Sequence, residues 1–160
     1  MKILPFVVFA AALVLACDQG ASPVVRPLTT FFTLTDTTGA TISETRPGQD
    51  FILSFNLINT MPDTLTYGWA NSGPSIIFRI LQNDSAIASS VDGYVFLMIA
   101  PRAYLAPGDT LHARWRAPTT PPQNPKVVLA PGTYQATVGL PYLYGVNVDP
   151  IQPITFMVAF

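Results

Sequence analysis

The chain has 160 residues, of which 11% are charged, and 8 Lys and Arg against 9 Asp and Glu leave a formal net charge of −1. That balance excludes a nucleic-acid binder, which needs a concentrated basic footprint to displace counterions, and 49% hydrophobic residues exclude a chain too polar to fold. One Glu, two Lys and 17 Thr disfavour helix, because β-branched Thr loses rotamer freedom there and suits strands.

In residues 1–16 a lone positive charge, Lys2, precedes an apolar run over residues 3–15. The run is shorter than the roughly 20 residues that span a bilayer and has the form of a signal peptide. Val14-Leu15-Ala16-Cys17 resembles the lipobox of bacterial lipoproteins, in which cleavage precedes a cysteine that carries a diacylglycerol. The resemblance implies lipidation at Cys17 and a place in the bacterial cell envelope, held to the membrane by a lipid anchor. Each buried acyl methylene contributes about 0.8 kcal/mol to such an anchor. Cys17 is the only cysteine, so a lipidated Cys17 leaves neither a free thiolate nor an intrachain disulfide. Residues 17–30 then read as the lipidated Cys and a tether, broken by Gly20, Ser22, Pro23 and Pro27.

Residues 31–160 read as the folded domain. Phe32 and Leu34 alternate with Thr33 and Thr35, and Thr38-Gly39 turns the chain into residues 41–45. Three Pro-Gly pairs follow, at Pro47-Gly48, Pro107-Gly108 and Pro131-Gly132. Proline fixes φ at the first central position and glycine accepts positive φ at the second, so each predicts a type II turn. Beyond the first turn, Phe51, Leu53, Phe55 and Leu57 recur at period two; beyond the second, Leu111, Ala113, Trp115 and Ala117; beyond the third, Tyr134, Ala136, Val138 and Leu140. Period two marks half-buried strands.

Further strands are predicted over residues 64–69, 75–81, 86–90, 126–129 and 154–160, the fourth of them short. Gln82-Asn83-Asp84-Ser85 reads as a four-residue hairpin loop. Short strands between turn signals predict an all-β chain, an immunoglobulin-like antiparallel β-sandwich of about eight or nine strands. Residues 91–103 and 117–125 read as irregular loops, as does 141–153.

The residues offer little for catalysis. The only His, His112, falls on the polar side of a strand, no G-x-S-x-G surrounds a serine, and most Asp residues sit in turns. No catalytic residue, metal ligand or cofactor-binding residue is expected, and no D-x-D spacing suggests calcium. Arg79, Arg114 and Arg116 fall on strands and read as partners for nearby Asp more readily than as a ligand site.

Over residues 50–140 the chain resembles the BsuPI-type intracellular proteinase inhibitors. The likeness rests on the alternating strand running into Asn59-Thr60, then Leu65-Thr66-Tyr67, Leu105-Ala106-Pro107-Gly108-Asp109 leading to Trp115, and Leu129-Ala130-Pro131-Gly132-Thr133-Tyr134. Ile76-Ile77-Phe78 departs from the family's common Asp before Phe, and Ala88 from its frequent Trp. The resemblance implies an Ig-like sandwich that binds a protein partner, with a subtilisin-like protease as the candidate class. The expected contact segment is residues 91–103, with Met98, Arg102 and Tyr104 as anchors, because Tyr and Arg are enriched at binding hot spots. The alternatives are a structural or assembly module of an envelope complex without inhibitory activity, suggested by the low surface charge, and an enzyme or carbohydrate-binding module resting on aromatics such as Tyr142 and Tyr144.

Overall fold

A computed structural model describes residues 28–68, 72–97, 102–118, 127–141 and 148–160. Cys17 and the signal segment lie outside the described residues, as do Met98, Tyr142 and Tyr144. The described residues are all-β. They contain β1 (Leu28–Thr35), β2 (Glu44–Thr45), β3 (Phe51–Asn59), β4 (Leu65–Gly68), β5 (Ile77–Gln82), β6 (Ser85–Ser89), β7 (Arg102–Leu105), β8 (Thr110–Ala117), β9 (Gly132–Gly139) and β10 (Ile154–Val158).

Two sheets carry most of the strands, one ordered β1-β3-β8 and the other β2-β10-β9-β5-β6, while β4 and β7 form a separate two-stranded ribbon. All pairings are antiparallel except β2 with β10, which is parallel. The N-terminal strands thus divide between the sheets, β1 pairing with β3 and β2 with β10. This is the topology of an Ig-like sandwich.

The period-two residues meet between the sheets. Phe51, Phe55, Leu53 and Leu57 of β3 are 0% exposed, and Phe51 reaches Phe156 of β10 at a ring separation of 5.1 Å. Phe78 of β5 stacks between Phe32 of β1 at 6.2 Å and Trp115 of β8 at 6.5 Å. Each large side chain so buried contributes about 1.5–3 kcal/mol. On β8 the alternation is as expected, with Trp115 and Ala117 buried and His112, Arg114 and Arg116 exposed.

The first two Pro-Gly pairs form the expected turns. Gly48 has φ 75° and Gly108 φ 82°, and Gln49 and Asp109 donate their N–H groups to the Arg46 and Ala106 carbonyls at 3.0 Å. The third does not. Gly132 has φ 154° and begins β9 opposite Val158, where a Cβ would meet Gln82 Nε2 at 3.0 Å. The Ala130 carbonyl, the acceptor a type II turn would use, accepts instead from the Tyr134 hydroxyl at 2.8 Å. A tyrosine near the start of a strand that bonds back to the chain just upstream is the tyrosine corner of Ig-like sandwiches. Tyr134→Phe is expected to lower unfolding free energy by about 1 kcal/mol with no change of fold, measurable by urea denaturation.

Other boundaries also differ from expectation. The hairpin between β5 and β6 turns on two residues, Asn83 (φ 49°) and Asp84 (φ 62°), because Gln82 and Ser85 are already paired; positive φ at both centres is the type I′ requirement, which Asn and Asp tolerate. β1 begins at Leu28, three residues before the expected domain start at 31. Residues 127–129 are not a strand, although Leu129 is buried. The final strand ends at Val158, leaving Phe160 fully exposed. The described residues form ten strands; β7, unexpected, lies at the end of a stretch that reads locally as loop. In the turn after β1, the Asp36 carboxylate accepts from the Thr38 hydroxyl at 2.7 Å and from the Thr38 and Ala40 N–H groups at 2.8 and 3.0 Å; the Thr38 hydroxyl above all holds its pKa below the usual value of 3.8.

Candidate functional site

The described part of the connection between β6 and β7, residues 90–97, is irregular and held at defined points. At its start, Ser90 N–H donates to the Phe78 carbonyl at 3.0 Å and Ser90 Oγ accepts from Phe78 N–H at 3.0 Å. Asp92 Oδ2 accepts from Ser89 N–H at 2.7 Å. Further along, Leu97 N–H donates to Ser72 Oγ and Ser72 N–H donates to the Leu97 carbonyl, both at 2.8 Å. Tyr94 and Phe96 stack with their planes 6° apart. A loop fixed in this way loses little conformational freedom when it meets a partner.

Large apolar side chains are exposed on the described part of this connection and on β7. Val95 is 95% exposed, Leu97 69%, Tyr104 68% and Tyr94 48%. Of the expected anchors, Arg102 and Tyr104 both fall on β7 and are exposed, so they sit on a strand instead of a free loop. Their strand pairs with β4, Tyr104 opposite Thr66 and Arg102 opposite Gly68. Tyr94, Val95 and Leu97 belong to the same expected contact segment but are not among its expected anchors; the apolar run Tyr94-Val95-Phe96-Leu97 does not by its pattern distinguish which side chains face outward.

β7 is held by Asn59, the last residue of β3. Asn59 is 0% exposed, yet each polar atom of its side chain has a partner. Nδ2 donates to the Leu105 carbonyl at 2.8 Å and the Asp63 carbonyl at 2.9 Å, while Oδ1 accepts from Met61 N–H at 3.0 Å. Its backbone joins the turn before β8, donating to the Asp109 carbonyl at 3.0 Å and accepting from Gly108 N–H at 2.8 Å. One buried amide therefore ties together the end of β3, the approach to β4, the end of β7 and the second Pro-Gly turn.

The arginines divide between faces. Arg79 lies on β5 in the larger sheet, whereas Arg114 and Arg116 lie on β8 in the other, so the three do not form one basic face. Arg116 Nε donates to Asp50 Oδ2 at 2.9 Å, and Asp50 is the kind of partner expected for it; Arg114 has no ion-pair partner among the described residues. His112 is exposed, with Nδ1 2.6 Å from Asn56 Oδ1. Among the described residues no group of three or more His, Cys, Asp or Glu side chains is placed to hold a metal ion.

These features define an Ig-like β-sandwich that exposes large apolar side chains on residues 94–97 of one interstrand connection and on the strand after it. No protein-family model and no curated protein matches the chain.

Proposed function

We propose that this chain is a lipid-anchored, non-catalytic Ig-like module of the bacterial envelope that binds a protein partner through the β6–β7 connection and β7. The observation that carries this reading is the exposure of Tyr94, Val95 and Leu97 on a segment held by backbone and serine hydrogen bonds, and of Tyr104 on the strand β7 that follows. Aromatic anchors on a preorganised segment are the usual source of binding energy. The lipobox resemblance at Cys17 supports the anchor, and the BsuPI-type resemblance supports a subtilisin-like protease as the partner class.

Two measurements test this reading. Labelling with radioactive palmitate should mark the wild-type chain and not Cys17→Ser; label in both would remove the anchor at that residue. Residual activity of a panel of subtilisin-like proteases, measured with excess full chain in detergent micelles, should fall for at least one protease. Tyr104→Ala should weaken that inhibition about tenfold or more. No inhibition across the panel, with residues 91–103 cut like any substrate, would remove the protease as partner.

The alternative of an assembly module has its own support. The edge strands β1 and β6 carry no charged side chain, and natural edges commonly use charge to prevent edge pairing. Native mass spectrometry of the full chain should then show a stable homo- or hetero-complex; a strictly monomeric, partner-free protein would count against it.

A further inference from the structure

We propose that the edge of β8, which no strand among the described residues covers, takes up an extended acidic segment of the partner by strand addition, with carboxylates at alternate positions and apolar side chains between them. This inference rests on the reading of the domain as a protein-binding module and names the chemistry of what it binds.

Strand β8 ends the sheet β1-β3-β8. Its ladder phase follows from one bond: Asn59 N–H donates to the Asp109 carbonyl, so in an antiparallel pair Leu111, Ala113, Trp115 and Ala117 bond toward β3. Thr110, His112, Arg114 and Arg116 therefore turn their backbone N–H and C=O groups away from β3, where no strand among the described residues meets them. A cleft of about 360 Å³ runs beside this edge. Four consecutive β8 residues, Ala113, Arg114, Trp115 and Arg116, line it. Consecutive strand residues point to opposite faces, so a cleft touching all four follows the strand edge. Ile76, Phe78 and Tyr94 form its other wall, which joins it to the β6–β7 connection.

An added strand would meet two different environments in alternation. Side chains turned inward would enter the gap beside Trp115 and Phe78, which suits Val, Ile or Leu. Side chains turned outward would lie beside Arg114 and Arg116, two residues apart on one face, which suits Asp or Glu. Arg114 is exposed and has no ion-pair partner among the described residues, and the Arg116–Asp50 pair uses Nε, leaving the other guanidinium N–H groups available. The same charges argue against a second copy in this position, because pairing β8 with β8 would gather Arg114 and Arg116 of both copies on one face.

The test titrates the full chain in detergent micelles with a fluorescent peptide of β8's own length, 8 residues, alternating Glu and Val. A Lys and Val peptide serves as the control. The Glu and Val peptide should bind saturably, more weakly as salt rises, and should shift the backbone amide resonances of His112, Arg114 and Arg116. Arg114→Glu, an exposed substitution that should leave the melting temperature unchanged, should weaken binding about tenfold. Equal binding of both peptides, or binding indifferent to Arg114→Glu, would overturn the proposal. Failure of the Glu and Val peptide to bind, while Tyr104-dependent inhibition or capture of a partner persists, would overturn this inference alone; loss of both would remove the partner-binding reading as well.

Discussion

Asn59→Ala is expected to lower the unfolding free energy by about 3 kcal/mol, since it removes three side-chain hydrogen bonds worth about 1 kcal/mol each from a residue that is 0% exposed. The loss has a local signature. The Leu105 carbonyl at the end of β7 would lose its donor in a buried setting, so backbone amides of β4 and β7 should exchange with solvent faster than those of β9. Asn59→Asp sharpens the test, because a carboxylate keeps the acceptor for Met61 N–H but faces the Leu105 and Asp63 carbonyls without a proton to donate. At neutral pH it should be at least as destabilising as Ala. Urea denaturation with hydrogen exchange measures both, and a change below about 1 kcal/mol in either variant would contradict the role given to this amide.

The second large effect is expected at Trp115. It is 5% exposed and lies against Phe78, which also stacks on Phe32. Trp115→Ala should cost about 3–5 kcal/mol, through lost burial and the cavity that remains. Its neighbour Arg116 is the control: its pair with Asp50 is 69% exposed on the arginine side, and Arg116→Ala should cost no more than about 1 kcal/mol. Comparable losses at both positions would mean that the two faces of β8 are not the buried and solvated ones.

Much of this architecture was legible in the sequence because each sheet buries one face, and one-sided burial writes itself as period-two alternation. Phe51, Leu53, Phe55 and Leu57 carry that signal without interruption, and all are fully buried. The same alternation places Asn59 inward, yet its partners come from residues 61, 63 and 105, and no local pattern connects residue 59 with residue 105. β7 was hidden for the same reason: a four-residue strand is defined by its pairing with β4, and that pairing spans a long stretch of intervening chain.

Turn chemistry was legible where the dipeptide alone decides the geometry, as at Pro47-Gly48 and Pro107-Gly108. It was misleading at Pro131-Gly132, where Tyr134 claims the upstream carbonyl and Gly132 is drawn into β9. At Asn83-Asp84 the missing glycine concealed a type I′ turn that two short polar side chains can support. At the candidate site, the segment 91–103 and the residues Arg102 and Tyr104 were found from residue type, but their placement on a paired strand was not. Residues 94–97 lie in the segment read as loop and contact surface, but the alternation of that apolar run does not say which of its side chains are exposed; the bonds of Leu97 to Ser72 and of Ser90 to Phe78 hold the described residues 90–97 in place.

The most direct test of the central proposal is photo-crosslinking in cells, with a photoreactive residue at position 104 of the full chain and the same residue at Thr155, an exposed position on β10, as the reference. A discrete protein adduct from position 104, absent from position 155 and reduced when Cys17 is Ser, is the predicted result. No adduct from position 104, or the same adducts from both positions, would contradict an anchored module that binds its partner through β7.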